Sequence, residues 1–281
     1  MNNKRIHKAI KNFKRSNLEN LGIHCFFSEK NFYEVKILII GPKESPYENG
    51  FYLFTLSFPE EYPWKPPVVK YCTQGQNIRF NPNLYKNGKV CVSILNTWDG
   101  PGWTSCCSLN TILLSLQSLL CENPINNEPG WEHIDKTHKK SVMYNQILTY
   151  SNIRIAVIDN VINTHSDFEC FKHLMTDYVI KNKNVYKKMI LDIEKHNNNK
   201  LLSYIYNMTI TVDYDYCIEN IKKIIPDIIE KKKQKKKRQA PNYKSSDYDI
   251  GYKMISENNG ELYIVSLTKT GKKRWKLNKI I

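Results

Sequence analysis

The 281-residue sequence lacks the features that mark membrane, secreted and zinc-binding proteins. It has no run of about eighteen apolar residues, and its basic N-terminus lacks the apolar core and cleavage site of a secretory signal. Its eight cysteines include no Cys-x-x-Cys pair and no histidine at zinc-ligand spacing. We therefore expect reduced thiols, no membrane association, and a location in the cytoplasm, the nucleus or both.

Histidine is absent around the cysteine that stands out, Cys91. No histidine lies between His24 and His133, and nothing near Cys91 matches a protease nucleophile motif. This disfavours a thiol hydrolase, although folding could bring a distant histidine close. A thiol that only carries an acyl group needs no such base, because an incoming thioester already has a good leaving group.

Positive charge is concentrated at the C-terminal end. Residues 1–130 carry a net charge of +4, residues 131–230 are neutral, and residues 231–281 carry +11 of the total +15. This distribution excludes a uniformly basic DNA-binding surface. The run "KKKQKKKRQAPN", residues 231–242, is too repulsive to enter a core, so it predicts a flexible linker. Such a run also fits nuclear localisation or nucleic-acid binding.

Apolar periodicity predicts helices at both ends of a strand-rich segment. Ile6, Ile10 and Phe13 mark one face of an N-terminal helix that ends at Gly22, and Ser108 can cap a second helix. Predicted strands, rich in aromatic and β-branched residues, are 32–40, 51–58 and 67–72. Further helical patterns are 152–163, 169–182, 185–196 and 216–232, and three short strands follow within 250–278.

Asn83 and Cys91 lie on either side of the turn "YKNGK". A catalytic thiol needs an exposed position on a rigid frame and a donor that can stabilise an oxyanion. The spacing allows the Asn83 carboxamide and the Cys91 thiol to face the same side of a loop. Turn chemistry alone also explains an asparagine in a proline-containing turn.

Seven segments resemble the ubiquitin-conjugating enzymes in order and spacing. They are "KRIHKAI" at 4–10, "GPKESPYENGFYLF" at 41–54, "FPEEYPWKPP" at 58–67, "FNPN" at 80–83, "NGKVCVSIL" at 87–95, the tryptophan at 103, and "LLSLQSLLCENPINNEP" at 113–129. The resemblance covers about residues 4–130. It extends more weakly toward residue 195, where the chain is similar to the large Z-type members.

The resemblance implies a role for each site residue. Cys91 would receive the C-terminal carbonyl of ubiquitin or a ubiquitin-like modifier from an activating enzyme, and Asn83 would stabilise the oxyanion or order the loop. Glu128 would be the acidic gate that orients or deprotonates the attacking lysine. Neither a metal nor a bound organic cofactor is implied. Contacts with the activating enzyme and with a ligase are implied for Lys4, Arg5, Lys8, Lys11, Trp64, Trp103, Thr104 and Ser105.

Some positions depart from the family pattern. Asn81 stands where most members have the histidine of His-Pro-Asn, a residue whose role is largely structural. The flap between Cys91 and Trp103 is longer than in the smallest members. Thr104-Ser105-Cys106 replaces Ser-Pro-Ala, which argues against ordinary RING-type ligase binding. The gate loop is longer by one residue, so Asn127 could take the role of Glu128.

The resulting prediction is an α+β ubiquitin-conjugating fold with an N-terminal helix, a four-stranded antiparallel meander, and helices packed on one face of the sheet. The predicted parts are a catalytic domain (1–160), a helical extension packed on it (161–230), a basic linker (231–242) and a small β-rich basic tail (243–281). One alternative is a non-catalytic module of the same fold that holds ubiquitin or a partner. Another is an adaptor that binds nucleic acid through its basic tail.

Overall fold

The computed structural model describes residues 2–228 and 239–278. The chain divides into two compact units, residues 1–228 and 229–281. The strands of the first unit are β1 Ile23–Phe27, β2 Glu34–Ile40, β3 Phe51–Ser57, β4 Val68–Tyr71, β5 Lys200–Ser203 and β6 Met208–Thr211. Its helices are α1 Asn2–Arg15, α2 Leu109–Ser118, α3 Lys139–Ser151, α4 Asn160–Ile162, α5 Lys172–Lys181, α6 Lys183–Glu194 and α7 Tyr214–Ile224. A π-helical stretch, Asn152–Asp159, joins α3 to α4.

Helix α1 is amphipathic, and its apolar face packs inward. Ile6 and Phe13 are buried while the basic side chains of the opposite face are exposed. The helix ends at Arg15 rather than at Gly22 as predicted, since the Ser16 hydroxyl donates a hydrogen bond to the Phe13 carbonyl. Gly22, with φ of +80°, instead closes a short 3-10 helix that follows.

Strands β1 to β4 form the predicted antiparallel sheet in chain order. Helices were predicted on one face of the sheet, and the structure also has residues buried on the other face. Leu38 and Leu53 are paired on β2 and β3 and are buried on the face opposite to that of Ile37 and Phe54. This second face is covered by the C-terminal extension, where the α5 residue Tyr178 lies with its ring 5.8 Å from that of Phe51.

The π-helical stretch is tied to the sheet by Asn152. Its Oδ1 accepts a hydrogen bond from the Tyr52 hydroxyl at 2.7 Å, and its Nδ2 donates one to the Glu48 carbonyl at 2.8 Å. A Cβ at Gly50 would lie 1.8 Å from Asn152 Oδ1, so only glycine allows this approach. Residues 161–228 belong to the same compact unit as the domain that precedes them, and the Tyr186 hydroxyl of α6 donates to the Asn49 carbonyl at 2.8 Å.

Two features of the extension differ from the sequence prediction. Helix α7 ends at Ile224, short of the predicted 216–232, because Pro226 cannot continue it. Strands β5 and β6 form an antiparallel hairpin that was not predicted. By contrast, the predicted cap of α2 is confirmed, since Ser108 Oγ accepts a hydrogen bond from the Thr111 amide at 3.1 Å.

The second unit contains the predicted small meander, with strands β7 Lys253–Ile255, β8 Leu262–Leu267 and β9 Lys273–Leu277. Val265 is 1% exposed, and the rings of Tyr248, Tyr252 and Trp275 cluster in this unit at centroid distances of 4.7 to 6.5 Å. Most of the predicted linker, residues 231–238, lies outside the described residues. Its described end joins the sheet, because Ser256 Oγ donates to the Gln239 carbonyl. No helix of the described ranges is long and apolar enough to cross a bilayer.

Candidate active site

Asn83 and Cys91 are brought together by a short β-turn structure. Leu84 and Val90 form an antiparallel bridge, and the chain reverses between them through Gly88, which has φ of +90°. The Cys91 amide donates to the Asn83 carbonyl at 2.9 Å, and Asn83 Nδ2 donates to the Cys91 carbonyl at 2.6 Å. The side chain of Asn83 thus holds the backbone of the cysteine directly.

This contact fixes the orientation of the Asn83 carboxamide. The group that faces the Cys91 carbonyl must be the amide nitrogen, because two oxygens at that distance would repel. Asn83 Oδ1 is buried and has no hydrogen-bond partner among the described residues. One N–H of the carboxamide therefore orders the loop.

Asn81 has a structural role, as the resemblance implied for the first residue of the motif. It is fully buried, its Nδ2 donates to the Leu119 carbonyl at 2.7 Å, and its Oδ1 accepts from the Asn83 amide at 2.9 Å. Asn127 also turns toward this network, with Nδ2 at 3.4 Å from Asn81 Oδ1. Both Asn127 and Glu128 are half-buried, and which of them serves the attacking lysine stays a prediction.

Cys91 is 2% exposed, so the expectation of an exposed thiol is wrong for this conformation. The adjacent flap, residues 96–102, is itself exposed and is hydrogen-bonded to the segment that carries the cysteine. Thr97 Oγ1 accepts from the Val92 amide at 3.0 Å and lies 2.9 Å from the Val90 carbonyl, so it contacts both neighbours of Cys91. The segment on either side of Cys91 is thus held to the flap.

Glu128 lies at the end of a 3-10 helix, Pro124–Asn127, and its carboxylate is held by the extension. Glu128 Oε2 accepts a hydrogen bond from the hydroxyl of Tyr206, which lies between β5 and β6. Burial raises the pKa of Tyr206, and the hydrogen bond to Glu128 raises it further. The phenol therefore stays protonated near neutral pH and remains a donor.

Arg79 and Tyr206 are the site residues that the sequence did not reveal. The Arg79 guanidinium carbon lies 3.9 Å from the ring centroid of Tyr85 and 4.1 Å from that of Tyr206. The guanidinium also donates to the Pro82 carbonyl, and the Arg79 carbonyl accepts from the Tyr144 hydroxyl at 2.8 Å. Arg79 thus connects the extension to the segment that leads into Asn81-Pro82-Asn83.

Residues 5–151 match the family described as ubiquitin-conjugating enzyme. The chain belongs to this family. Over 127 residues it is 49% identical to "Ubiquitin-conjugating enzyme E2 Z" of Xenopus tropicalis, a match that covers 45% of this chain and 40% of that protein. It is 38% identical over 177 residues to "Probable ubiquitin-conjugating enzyme E2 R521" of Acanthamoeba polyphaga mimivirus, covering 58% of this chain and 12% of that protein.

Among solved structures, a ubiquitin-conjugating E2 domain of Toxoplasma gondii aligns with a TM-score of 0.43 at 23% identity, over 56% of this chain and 99% of that chain. By contrast, the chain spans less than half the length of the two curated relatives, from Xenopus tropicalis and from the mimivirus. The predicted family and its α+β ubiquitin-conjugating fold are confirmed.

Most residues of the predicted partner-binding surfaces are exposed, and the exceptions are Trp103 and Ser105. The basic residues of α1 are exposed, and these are Lys4, Arg5, Lys8 and Lys11. Trp64 is 78% exposed and Thr104 is exposed, whereas Ser105 is half-buried. Trp103 is only 8% exposed, and its indole N–H donates to the Pro63 carbonyl at 2.7 Å. This hydrogen bond joins Trp103 to the residue that precedes Trp64, and the predicted partner contact of Trp103 stays a prediction.

Proposed function

We propose that the protein accepts ubiquitin or a ubiquitin-like modifier as a thioester on Cys91 and transfers it to a lysine amine. The observation that carries this proposal is the reciprocal hydrogen-bonded pair of Asn83 and Cys91, which lies within the matched residues 5–151. None of the other seven cysteines follows an Asn-Pro-Asn motif and a turn, as Cys91 does.

Raised pKa values disfavour several of the other thiols as the nucleophile. Burial raises the pKa of the Cys217 thiol to about 12 and that of the Cys25 thiol beyond the usual range. It also raises the pKa values of Cys72, Cys121 and Cys170. Because the thiolate is the nucleophile, these five groups are poorly reactive near neutral pH.

The proposed reaction has two acyl-transfer steps. The Cys91 thiolate attacks the thioester carbonyl of the modifier on its activating enzyme, a new C–S bond forms, and the thiol of that enzyme leaves. A lysine amine then attacks the Cys91 thioester, the amine loses a proton, and the C–S bond breaks as the amide forms. Glu128 would orient the amine or accept the proton, and Asn83 would support the tetrahedral oxyanion.

An open cleft between the flap and the gate loop offers an approach for the amine. It is lined by Lys89, Thr97, Asp99 and Pro129, among others, and Pro129 directly follows Glu128. The amine would need the flap to shift, because Cys91 is covered in the described conformation.

The partners follow from the same proposal. The basic face of α1 would dock the activating enzyme, and the exposed Trp64 with Thr104 would contact a ligase. The basic residues 231–281 would serve localisation in the nucleus or binding to nucleic acid.

The burial of Cys91 favours one alternative, a non-catalytic module that holds ubiquitin or a partner. One experiment distinguishes the conjugating enzyme from the non-catalytic module. The protein is mixed with an activating enzyme, ATP and ubiquitin, and covalent adducts are compared with and without reductant. We expect a reductant-sensitive adduct, which Cys91→Ala abolishes and Cys91→Ser replaces with a slower, reductant-stable oxyester. Cys106→Ala is the matched control, because Cys106 is exposed and should be dispensable. Charging of the Cys91→Ala variant, or no adduct with the native protein, would contradict the proposal.

A further inference from the structure

The tip of the β5–β6 hairpin contacts two parts of the candidate active site at once. The Tyr206 hydroxyl donates to Glu128 Oε2, and the Tyr206 ring stacks on Arg79, just before the Asn81-Pro82-Asn83 motif. From the same hairpin, Met208 Sδ accepts a hydrogen bond from the Arg79 amide at 3.3 Å. The hairpin therefore bridges the gate and the chain that leads to the cysteine loop.

The backbone of Tyr206 is held in an unfavourable conformation. Its φ of +61° and ψ of 15° place it in the left-handed region, which is unfavourable for a residue with a Cβ. The surrounding contacts hold it there, because its ring packs on Arg79 and lies 6.1 Å from the ring of Tyr144. Backbone strain of this kind is concentrated at functional sites, which is consistent with a functional role for Tyr206.

The hydrogen bond to Glu128 restrains a side chain that would otherwise rotate freely. The Tyr206 hydroxyl is the donor of this hydrogen bond, and burial raises its pKa further above neutral pH. Glu128 itself is only half-buried, and no other hydrogen bond to its carboxylate is formed within the described part of the chain. Tyr206 is thus the group that selects the position of the gate carboxylate.

We propose that Tyr206 is a positioning residue that holds Glu128 in place for the attacking lysine amine. The C-terminal extension then contributes to the transfer step, in addition to covering the sheet. This inference rests on the proposed function, since it assigns Tyr206 to the discharge of the Cys91 thioester and not to its formation.

The test uses Tyr206→Phe in the full chain, which removes the hydroxyl and keeps the ring that stacks on Arg79. Tyr204→Phe is the matched control, because Tyr204 is on the same hairpin and is 65% exposed. Single-turnover discharge to free lysine is measured on protein that has already been charged. We expect Tyr206→Phe to charge normally and discharge about fivefold more slowly at saturating lysine, and Tyr204→Phe to match the native protein.

The outcomes separate the inference from the proposed function. Failure of the native protein to charge contradicts the proposed function itself. Normal charging of all three proteins with unchanged or faster discharge of Tyr206→Phe overturns the positioning role alone. Equal slowing of charging and discharge, with a lower melting temperature, also overturns it, because that pattern indicates general loosening of the site.

A double-mutant cycle provides a readout that a purely structural role would not change. If Tyr206 acts through Glu128, Tyr206→Phe should have less than about a 1.5-fold effect on discharge once Glu128 is replaced by alanine. An undiminished fivefold effect in the Glu128→Ala background would show that the hydroxyl acts elsewhere and would overturn the inference.

Discussion

Replacing Asn83 with alanine removes the hydrogen bond that its Nδ2 donates to the Cys91 carbonyl at 2.6 Å. Asn83 is 6% exposed, so water does not readily take the place of the lost donor. Leaving a buried acceptor without its partner costs about 1–3 kcal/mol, and we take about 2 kcal/mol. For a unit of this size, that lowers the melting temperature by about 4–8 °C.

The isosteric Asn83→Asp variant distinguishes loop ordering from oxyanion stabilisation. It places a carboxylate oxygen against the Cys91 carbonyl, so it replaces an attraction with a repulsion. We therefore expect Asn83→Asp to be less stable than Asn83→Ala. In both variants, the rate of discharge to lysine should fall by a larger factor, relative to the native protein, than the rate of charging.

The assay is thermal unfolding followed by circular dichroism, combined with single-turnover charging and discharge. A side chain that acts only as an oxyanion donor would predict equal loss of discharge in both variants, on the order of a hundredfold, with unchanged melting temperatures. That result, or an aspartate variant as stable as the native protein, would refute the loop-ordering argument.

Three further predictions concern other parts of the chain. Reversing the charge of three exposed α1 lysines to glutamate should slow charging and reduce its dependence on ionic strength, while the fold survives; these are Lys4, Lys8 and Lys11. Loading rates at two salt concentrations check this, and an unchanged rate contradicts it. Removing residues 229–281 should leave charging and discharge near the native rates and abolish any nucleic-acid binding, and a folded truncation that cannot charge contradicts it. Burial lowers the pKa of His24, so the unfolded chain binds its proton more readily and stability should fall as the pH drops below about 6.5. Urea unfolding at pH 7.5 and 5.5 should show a smaller difference for His24→Gln, and an unchanged difference excludes His24 as the cause.

Much of the fold followed from local patterns in the sequence. The amphipathic first helix, the Ser108 cap and the meander each depend on residues within one segment, where periodicity and turn chemistry decide the structure. The juxtaposition of Asn83 and Cys91 also follows from a short turn between them. These features could be predicted because their partners lie close together along the chain.

The features that were missed depend on distant partners. Tyr206 lies in a hairpin after an Asn-rich segment that reads as a break, and its contact with Glu128 joins the extension to the gate loop. The burial of Trp103 depends on an acceptor at Pro63, and that of Cys91 accompanies a flap anchored by Thr97. No local pattern specifies such contacts, so exposure was predicted where the fold provides burial.

The site of attachment tests the central claim most directly. The protein is charged with activating enzyme, ATP and ubiquitin, digested at low pH without reductant, and analysed by mass spectrometry for the modifier remnant. We expect a remnant on Cys91 and on none of the other seven cysteines. A remnant on another cysteine, or charging that leaves Cys91 unmodified, would contradict it.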